Sequence, residues 1–346
     1  MKRLWIASIV PALAVVLLLP GARLYYQSPS GTGCTRCHEI EPEYRAWHAS
    51  SHRGTQCGRC HESSWLNDLQ RLYSHVRGDV PEQVHLRSAD LAAMMEKCRS
   101  CHRQEFADWQ AGPHSATYSR IFLDKKHNSK TPLMDDCLRC HGMHFEGGIR
   151  DVVAPQSMTG PWRLQRAELQ ARPTIPCLAC HQMHRQGGEL RKSSEDGKVA
   201  GPRQEINRPS LALYDRRSQA HVAVTNLALP VMKEGERRVK MSPDQRQALC
   251  YQCHAPRAEA QVGSGDDRTG IGVHEGLSCL VCHQKHGQQT RASCATCHPR
   301  LSNCGLDVEK MDTTFARPDS RHNIHWVKCQ DCHPKGLPKK AMARAE

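Results

Sequence analysis

Apolar side chains form extended patterns over only a few stretches of this chain. An uncharged run extends from Leu4 to Ala22, and an apolar patch lies between Val222 and Val231. Between residues 65 and 95, apolar positions recur at helical spacing, namely Leu66, Leu69, Leu72 and Val76. The pattern predicts an apolar amino-terminal segment, short amphipathic helices and long polar connections.

The composition argues against an ordinary apolar core. Aromatic residues make up 5% of the 346 residues, phenylalanine occurs four times, and the mean hydropathy is −0.64. Without cofactors, a chain of this composition leans towards disorder, because it cannot bury enough apolar surface. We therefore expect another source of apolar mass.

The motif C-x-x-C-H occurs nine times and uses 9 × 2 = 18 of the 19 cysteines. It is the attachment signature of c-type haem, in which two thiols bond the vinyl groups and the histidine binds iron. The predicted attachment residues are Cys34, Cys37, Cys57, Cys60, Cys98, Cys101, Cys137, Cys140, Cys177, Cys180, Cys250, Cys253, Cys279, Cys282, Cys294, Cys297, Cys329 and Cys332. The predicted proximal iron ligands are His38, His61, His102, His141, His181, His254, His283, His298 and His333.

A zinc or disulfide framework is the alternative, since C-x-x-C also occurs in zinc sites and cysteine pairs stabilise small secreted domains. Neither explains a histidine directly after every pair, whereas nine covalently attached haems c explain all copies at once. Nine porphyrins also supply the missing apolar mass. The predicted fold is a multihaem cytochrome c, mostly irregular, with short α-helices wrapped on a haem stack and little or no β-structure.

The net charge of 48 − 35 = +13 would ordinarily indicate an anionic partner. Each haem carries two propionates, so nine haems change the total to roughly +4 when oxidised and −5 when reduced. The basic excess is then mostly haem compensation, and no stretch has the pattern of a nucleic-acid-binding element. We expect no nucleic-acid partner.

The distribution of motifs predicts four regions. Residues 1–27 are a membrane anchor or signal peptide, 28–200 a five-haem region, 201–246 a haem-free linker or docking segment, and 247–346 a four-haem region. Basic residues before the apolar run place the amino terminus inside, and aromatic residues at both its ends resemble interfacial anchors. This favours the periplasmic side of a bacterial inner membrane, with secretion into the periplasm as the alternative.

The first sixty or so residues carry a further pattern. An amino-terminal apolar run is followed by C-x-x-C-H-E-x-x-P-E-Y from Cys34, by Ser51-His52 and by a second motif at Cys57. This arrangement resembles the membrane-anchored quinol dehydrogenase cytochromes of the NapC/NirT/NrfH family, although that family has a methionine where this chain has Ile40. The resemblance implies electron transfer from membrane quinol to a periplasmic reductase, and it makes His52 a candidate distal ligand.

An internal repeat, C-L-x-C-H-x-M-H-x-x-G-G, starts at Cys137 and again at Cys177. Its second histidine, His144 or His184, follows the proximal one by three residues and is a candidate distal ligand for a neighbouring haem. A propionate partner or a surface histidine is the alternative.

Three further candidate distal ligands lie in the last hundred residues. His286 has the same spacing after the motif at Cys279, and His322 and His325 precede the last motif. The dense motifs of this region resemble the small class III tetrahaem cytochromes c.

The supply of histidines favours closed haem irons. Of 22 histidines, 22 − 9 = 13 remain after the proximal ones, which is enough for nine distal ligands. A haem iron with two histidine ligands is closed to substrate and transfers single electrons at low potential.

We therefore expect an electron carrier of anaerobic respiration with no catalytic side chain. It would link the membrane quinol pool, or a membrane donor, to a periplasmic or outer-membrane redox protein. The alternative is a multihaem reductase in which one open haem acts on nitrite, hydroxylamine or a sulfur oxyanion.

Overall fold

A computed structural model describes residues 31–36, 40–61, 65–79, 88–184, 211–254 and 275–287, with residues 21, 25, 334 and 335 as isolated positions. The motifs at Cys294 and Cys329, the candidates His322 and His325, and nearly all of segment 1–27 lie outside these residues, as do Cys37 and His38. Within the described part of the chain, no helix is long and apolar enough to cross a membrane.

The described chain is mostly irregular, with short helices, as the sequence predicts. The α-helices α1 to α8 span Glu41–His48, Trp65–Arg77, Ser88–Cys101, Arg103–Ala111, Tyr118–Phe122, Lys125–Asn128, Gln247–Tyr251 and Cys279–Cys282. Single 3-10 turns lie at Cys34–Arg36, Cys57–Arg59, Pro113–Ser115, Asp135–Arg139, Ile149–Asp151, Ala167–Leu169, Cys177–Ala179 and Val224–Asn226.

Helix α2 coincides with the predicted helical spacing between residues 65 and 76. Its apolar positions Leu66, Leu69 and Val76 are all exposed. The apolar spacing therefore predicts the helix. The described residues leave these three apolar side chains exposed.

Three two-stranded antiparallel sheets complete the described elements. The strands β1 to β6 span Val153–Ala154, Arg163–Leu164, Ala212–Asp215, Ala220–Ala223, Lys233–Glu234 and Arg237–Arg238, and they pair as β1–β2, β3–β4 and β5–β6. The β3–β4 hairpin has the longest register, from Ala212 opposite Ala223 to Asp215 opposite Ala220. Asp215 holds the turn between these strands, because its carboxylate accepts bonds from the backbone N–H and the hydroxyl of Ser218.

A small apolar core surrounds the attachment motif at Cys137. Leu138, inside the motif, is fully buried. The other buried members come from helix α5 and from the loops on either side of the motif: Tyr118, Phe122, Leu133, Phe145, Ile149, Val152, Val153 and Leu169. Apolar burial in this region thus concentrates where a porphyrin would be attached.

Short-range hydrogen bonds fix the chain around this core. The Thr117 hydroxyl accepts from the Arg120 N–H and begins helix α5, and the Asp124 carboxylate accepts from two N–H groups at the start of α6. Asn128 is fully buried and donates its amide N–H to the Phe122 carbonyl at 2.8 Å. Side-chain caps satisfy the free N–H groups of a helix start, so these helices can be this short.

Residues 211–246, within the predicted linker or docking segment, form a folded part of the chain. The Ala212 N–H donates to the Cys180 carbonyl at 3.1 Å. Ala212, Val224 and Val239 are buried, and the Gln245 amide donates to the Val224 and Leu227 carbonyls. The hairpin therefore packs next to the fifth attachment motif.

The chain forms two compact units. Among the described residues, one unit contains those up to residue 97 together with 181–184 and 211, and the other contains 98–180 and those from 212 onwards. The four regions predicted from the motif distribution, with boundaries at residues 27, 200 and 246, remain predictions.

We expect Phe122→Ala to lower the free energy of unfolding of the haem-loaded protein by about 3–5 kcal/mol, because the substitution leaves a cavity in the core beside Leu138. Met158→Ala is the control, since Met158 is 49% exposed, and it should change stability by less than about 0.5 kcal/mol. Denaturant unfolding followed by circular dichroism measures both. Equal losses in the two variants would contradict the described core.

Candidate haem-binding sites

The first cysteine of each described attachment motif has helical backbone, either in a single short turn or, at Cys98 and Cys250, near the end of a longer helix. In five of them the backbone N–H of the histidine donates to the carbonyl of the first cysteine at 2.7–2.9 Å, in the motifs that end at His61, His102, His141, His254 and His283. Residues three and four apart lie on the same face of a helical turn. This local geometry lets two thiols and one imidazole of a motif engage the same porphyrin.

Attachment cysteines of several motifs converge in the second unit. A hydrogen bond with the Cys253 thiol lowers the pKa of Cys140 to about 7, and one with the Cys250 thiol lowers the pKa of Cys279 to about 7. Burial raises the pKa of Cys180 to about 11, and this thiol lies near enough to Cys250 and Cys253 to affect their titration. The motifs that begin at Cys137, Cys177, Cys250 and Cys279 therefore meet in one place.

His114 faces the proximal histidine His254, with ring centroids 6.1 Å apart. Two imidazoles that bind one metal ion from opposite sides have centroids about 6 Å apart, since each metal–nitrogen bond is about 2 Å long. Burial lowers the pKa of His114, and the neighbouring His254 and His286 lower it further by charge repulsion. A neutral imidazole is the form that binds a metal, so His114 and His254 would together be suited to hold one haem iron.

His144 is buried, and an aromatic ring packs against it. It stacks on Tyr214 with centroids 3.8 Å apart, and Tyr214 is paired across the hairpin with His221, whose Nε2 lies 2.8 Å from the Leu178 carbonyl. Burial lowers the pKa of His144 to about 4, His221 adds to the effect, and the Leu178 backbone opposes it.

Three buried ring nitrogens near the fourth motif have no hydrogen-bond partner among the described residues. These are both ring nitrogens of His144 and the Nδ1 atom of the proximal His141. Burial also lowers the pKa of His141, as do His127 and His254. Buried polar atoms ordinarily have partners, so neutral imidazoles with free nitrogens fit a site completed by haem iron.

His286 lies close to helix α4 and its proximal neighbour His102. Burial lowers the pKa of His286, while Glu105 and Asp108 raise it and His102 lowers it. The His286 carbonyl approaches Gly112 so closely that a Cβ atom at Gly112 would lie 3.2 Å from it. A glycine at the end of α4 therefore allows this close approach.

The first unit contains the other two described candidates. His184 lies beside the proximal His61, with ring centroids 5.4 Å apart. His52 lies in the turns that follow helix α1, where its N–H donates to the Ser50 hydroxyl at 3.1 Å. The assignments of distal ligands to individual irons remain predictions.

Sequence reasoning did not select three histidines that the structure places at these sites. His114, His127 and His221 lie near His254, His141 and His144 respectively. Each is distant in sequence from the residue it approaches or has no fixed spacing to a motif. Tertiary structure alone brings these three histidines close to the other three.

One family model matches two stretches of the chain. Residues 97–160 and 213–287 match a family model described as cytochrome c554 and c-prime. The matched stretches contain the motifs at Cys98, Cys137, Cys250 and Cys279.

The match supports a multihaem c-type cytochrome. The family implies covalently bound haem c and electron transfer. Residues 161–212, between the matched stretches, contain the fifth motif of the chain. Neither the search of curated proteins nor the search of solved structures returned a significant match.

We expect His114→Met to raise the reduction potential of one haem, because exchanging one of two histidine ligands for methionine raises the potential of the iron. A spectroelectrochemical titration of the purified cytochrome measures this shift. His75→Met, on the exposed part of α2, is the control and should leave the titration curve unchanged. An unchanged curve in the His114 variant would show that His114 does not bind iron.

Proposed function

We propose that the chain is a nonahaem cytochrome that conducts electrons from the membrane quinol pool, or from a membrane donor, to a periplasmic or outer-membrane redox protein. The observation that carries this proposal is the convergence of attachment cysteines from different motifs. Cys140 contacts Cys253, and Cys250 contacts Cys279. Porphyrins bonded to neighbouring thiols have closely spaced edges, and electron tunnelling is fastest over short distances.

Haem supplies the one-electron chemistry, and the chain's residues set its conditions. Two histidines on one iron keep it closed to substrate and hold its potential low. The facing pair of His114 and His254 has the separation that such ligation requires. Burial keeps His114, His141 and His144 neutral, so each can offer a lone pair to iron.

The amino-terminal pattern supports the proposed donor and location. An apolar run before the first motif supports an anchor in the inner membrane, with the haem-bearing part on the periplasmic side. The resemblance of the first sixty or so residues to quinol dehydrogenase cytochromes supports quinol as the donor. The partner that accepts electrons is a redox protein rather than a nucleic acid, since haem propionates offset most of the basic charge.

An anaerobic two-step experiment tests this proposal. The purified full-length protein in detergent is first mixed with a menaquinol analogue and then with nitrite, hydroxylamine or sulfite, while haem absorbance is followed. We expect the quinol to reduce the haems and the added substrates to be left unconsumed. Catalytic consumption of any of the three would instead establish the reductase alternative, and a failure of quinol to reduce any haem would overturn the quinol donor.

A further inference from the structure

Two histidines of the first unit, His61 and His184, lie close together. His61 is the proximal histidine of the motif at Cys57, and His184 follows the proximal histidine of the fifth motif by three residues. Their ring centroids lie 5.4 Å apart, and the ring planes are inclined by 30°. Two residues separated by more than a hundred positions thus lie side by side at an attachment site.

The separation of these rings is near that of two ligands on one metal. Imidazoles that bind a metal from opposite sides have centroids about 6 Å apart, given metal–nitrogen bonds of about 2 Å. Imidazoles that merely stack have parallel rings about 4 Å apart, as His144 does on Tyr214 at 3.8 Å and 20°. The spacing of His61 and His184 is closer to the ligand geometry.

A carboxylate orients His184 from the other side. The Nδ1 atom of His184 lies 3.1 Å from the Oε2 atom of Glu43, in helix α1. Histidines that bind metals commonly donate their second ring N–H to a carboxylate, which fixes the tautomer and makes the free nitrogen a stronger donor. With Nδ1 held by Glu43, the Nε2 atom of His184 is left for a metal.

We propose that His184 is the distal ligand of the haem attached at Cys57 and Cys60, and that Glu43 is a positioning residue for it. The inference rests on the proposed function, because it requires a haem at that motif. It ties the haem of the second motif to a loop of the fifth motif. That loop lies in residues 161–212, between the stretches that match the family model.

The first test is His184→Ala in the haem-loaded protein. We expect nine haems per chain, as in the parent protein, with one of the nine changed from low-spin to high-spin in the electron paramagnetic resonance spectrum. Added imidazole should restore the low-spin signal. His75→Ala, on the exposed part of helix α2 in the same unit, is the control and should leave every haem low-spin.

Two results would overturn this assignment. One is a fully low-spin spectrum for the His184→Ala variant, and the other is an equal high-spin signal in the His75→Ala control. If the alanine variant does not accumulate, His184→Met replaces it, and a potential raised at one haem is then the expected result. An unchanged titration curve for His184→Met would also contradict the assignment.

The second test is Glu43→Gln, compared with Glu41→Gln in the same helix. Glu41 accepts a hydrogen bond from Arg45 at 2.8 Å and serves as the control. We expect the Glu43 variant to keep all haems low-spin and to raise the potential of one haem, because a neutral acceptor makes His184 a weaker donor. Equal titration curves for the two variants would show that Glu43 is not a positioning residue for His184.

The haem count separates the two proposals. Fewer than nine haems in the parent protein would contradict the proposed nonahaem function. Nine haems with an unchanged spectrum in the His184→Ala variant would contradict only the ligand assignment.

Discussion

Covalent attachment of haem to paired thiols is the constraint on which the rest of this molecule depends. With aromatic residues at 5% of the chain, the described residues bury only a small core around the fourth motif. Folding costs roughly 1–2 kcal/mol of conformational entropy for each ordered residue, and a sparse core offsets little of that cost. Porphyrins bonded to the chain provide apolar surface and also cross-link the loops that hold them. Short helices and long irregular connections are then sufficient.

The proposed function adds a second requirement, because an iron closed to substrate would take a neutral imidazole on each side. Burial and a carboxylate contact at the candidate histidines fit this requirement. Burial lowers the pKa of His114, His141 and His144, whereas Glu43 contacts the outer nitrogen of the partly exposed His184. Burial, which keeps a histidine neutral, and a carboxylate contact, which fixes its tautomer, are thus two different ways to favour iron binding.

Much of this architecture can be predicted from the sequence, because the attachment signature is local. Five consecutive residues form one helical turn, so the motif, its proximal histidine and the mostly irregular fold follow directly from the pattern. Helix α2 follows from apolar spacing in the same way. Candidate ligands from distant segments of the chain cannot be predicted in this way. His114 approaches His254, and Tyr214 pairs with His221, only because of tertiary contacts and strand register.

Spin quantification of the oxidised, purified protein by electron paramagnetic resonance tests the central claim most directly. If the chain is an electron conductor with closed irons, integration should give nine low-spin haems per chain and no high-spin signal. A high-spin signal near one-ninth of the total haem would contradict the account, because one iron would then be open to substrate.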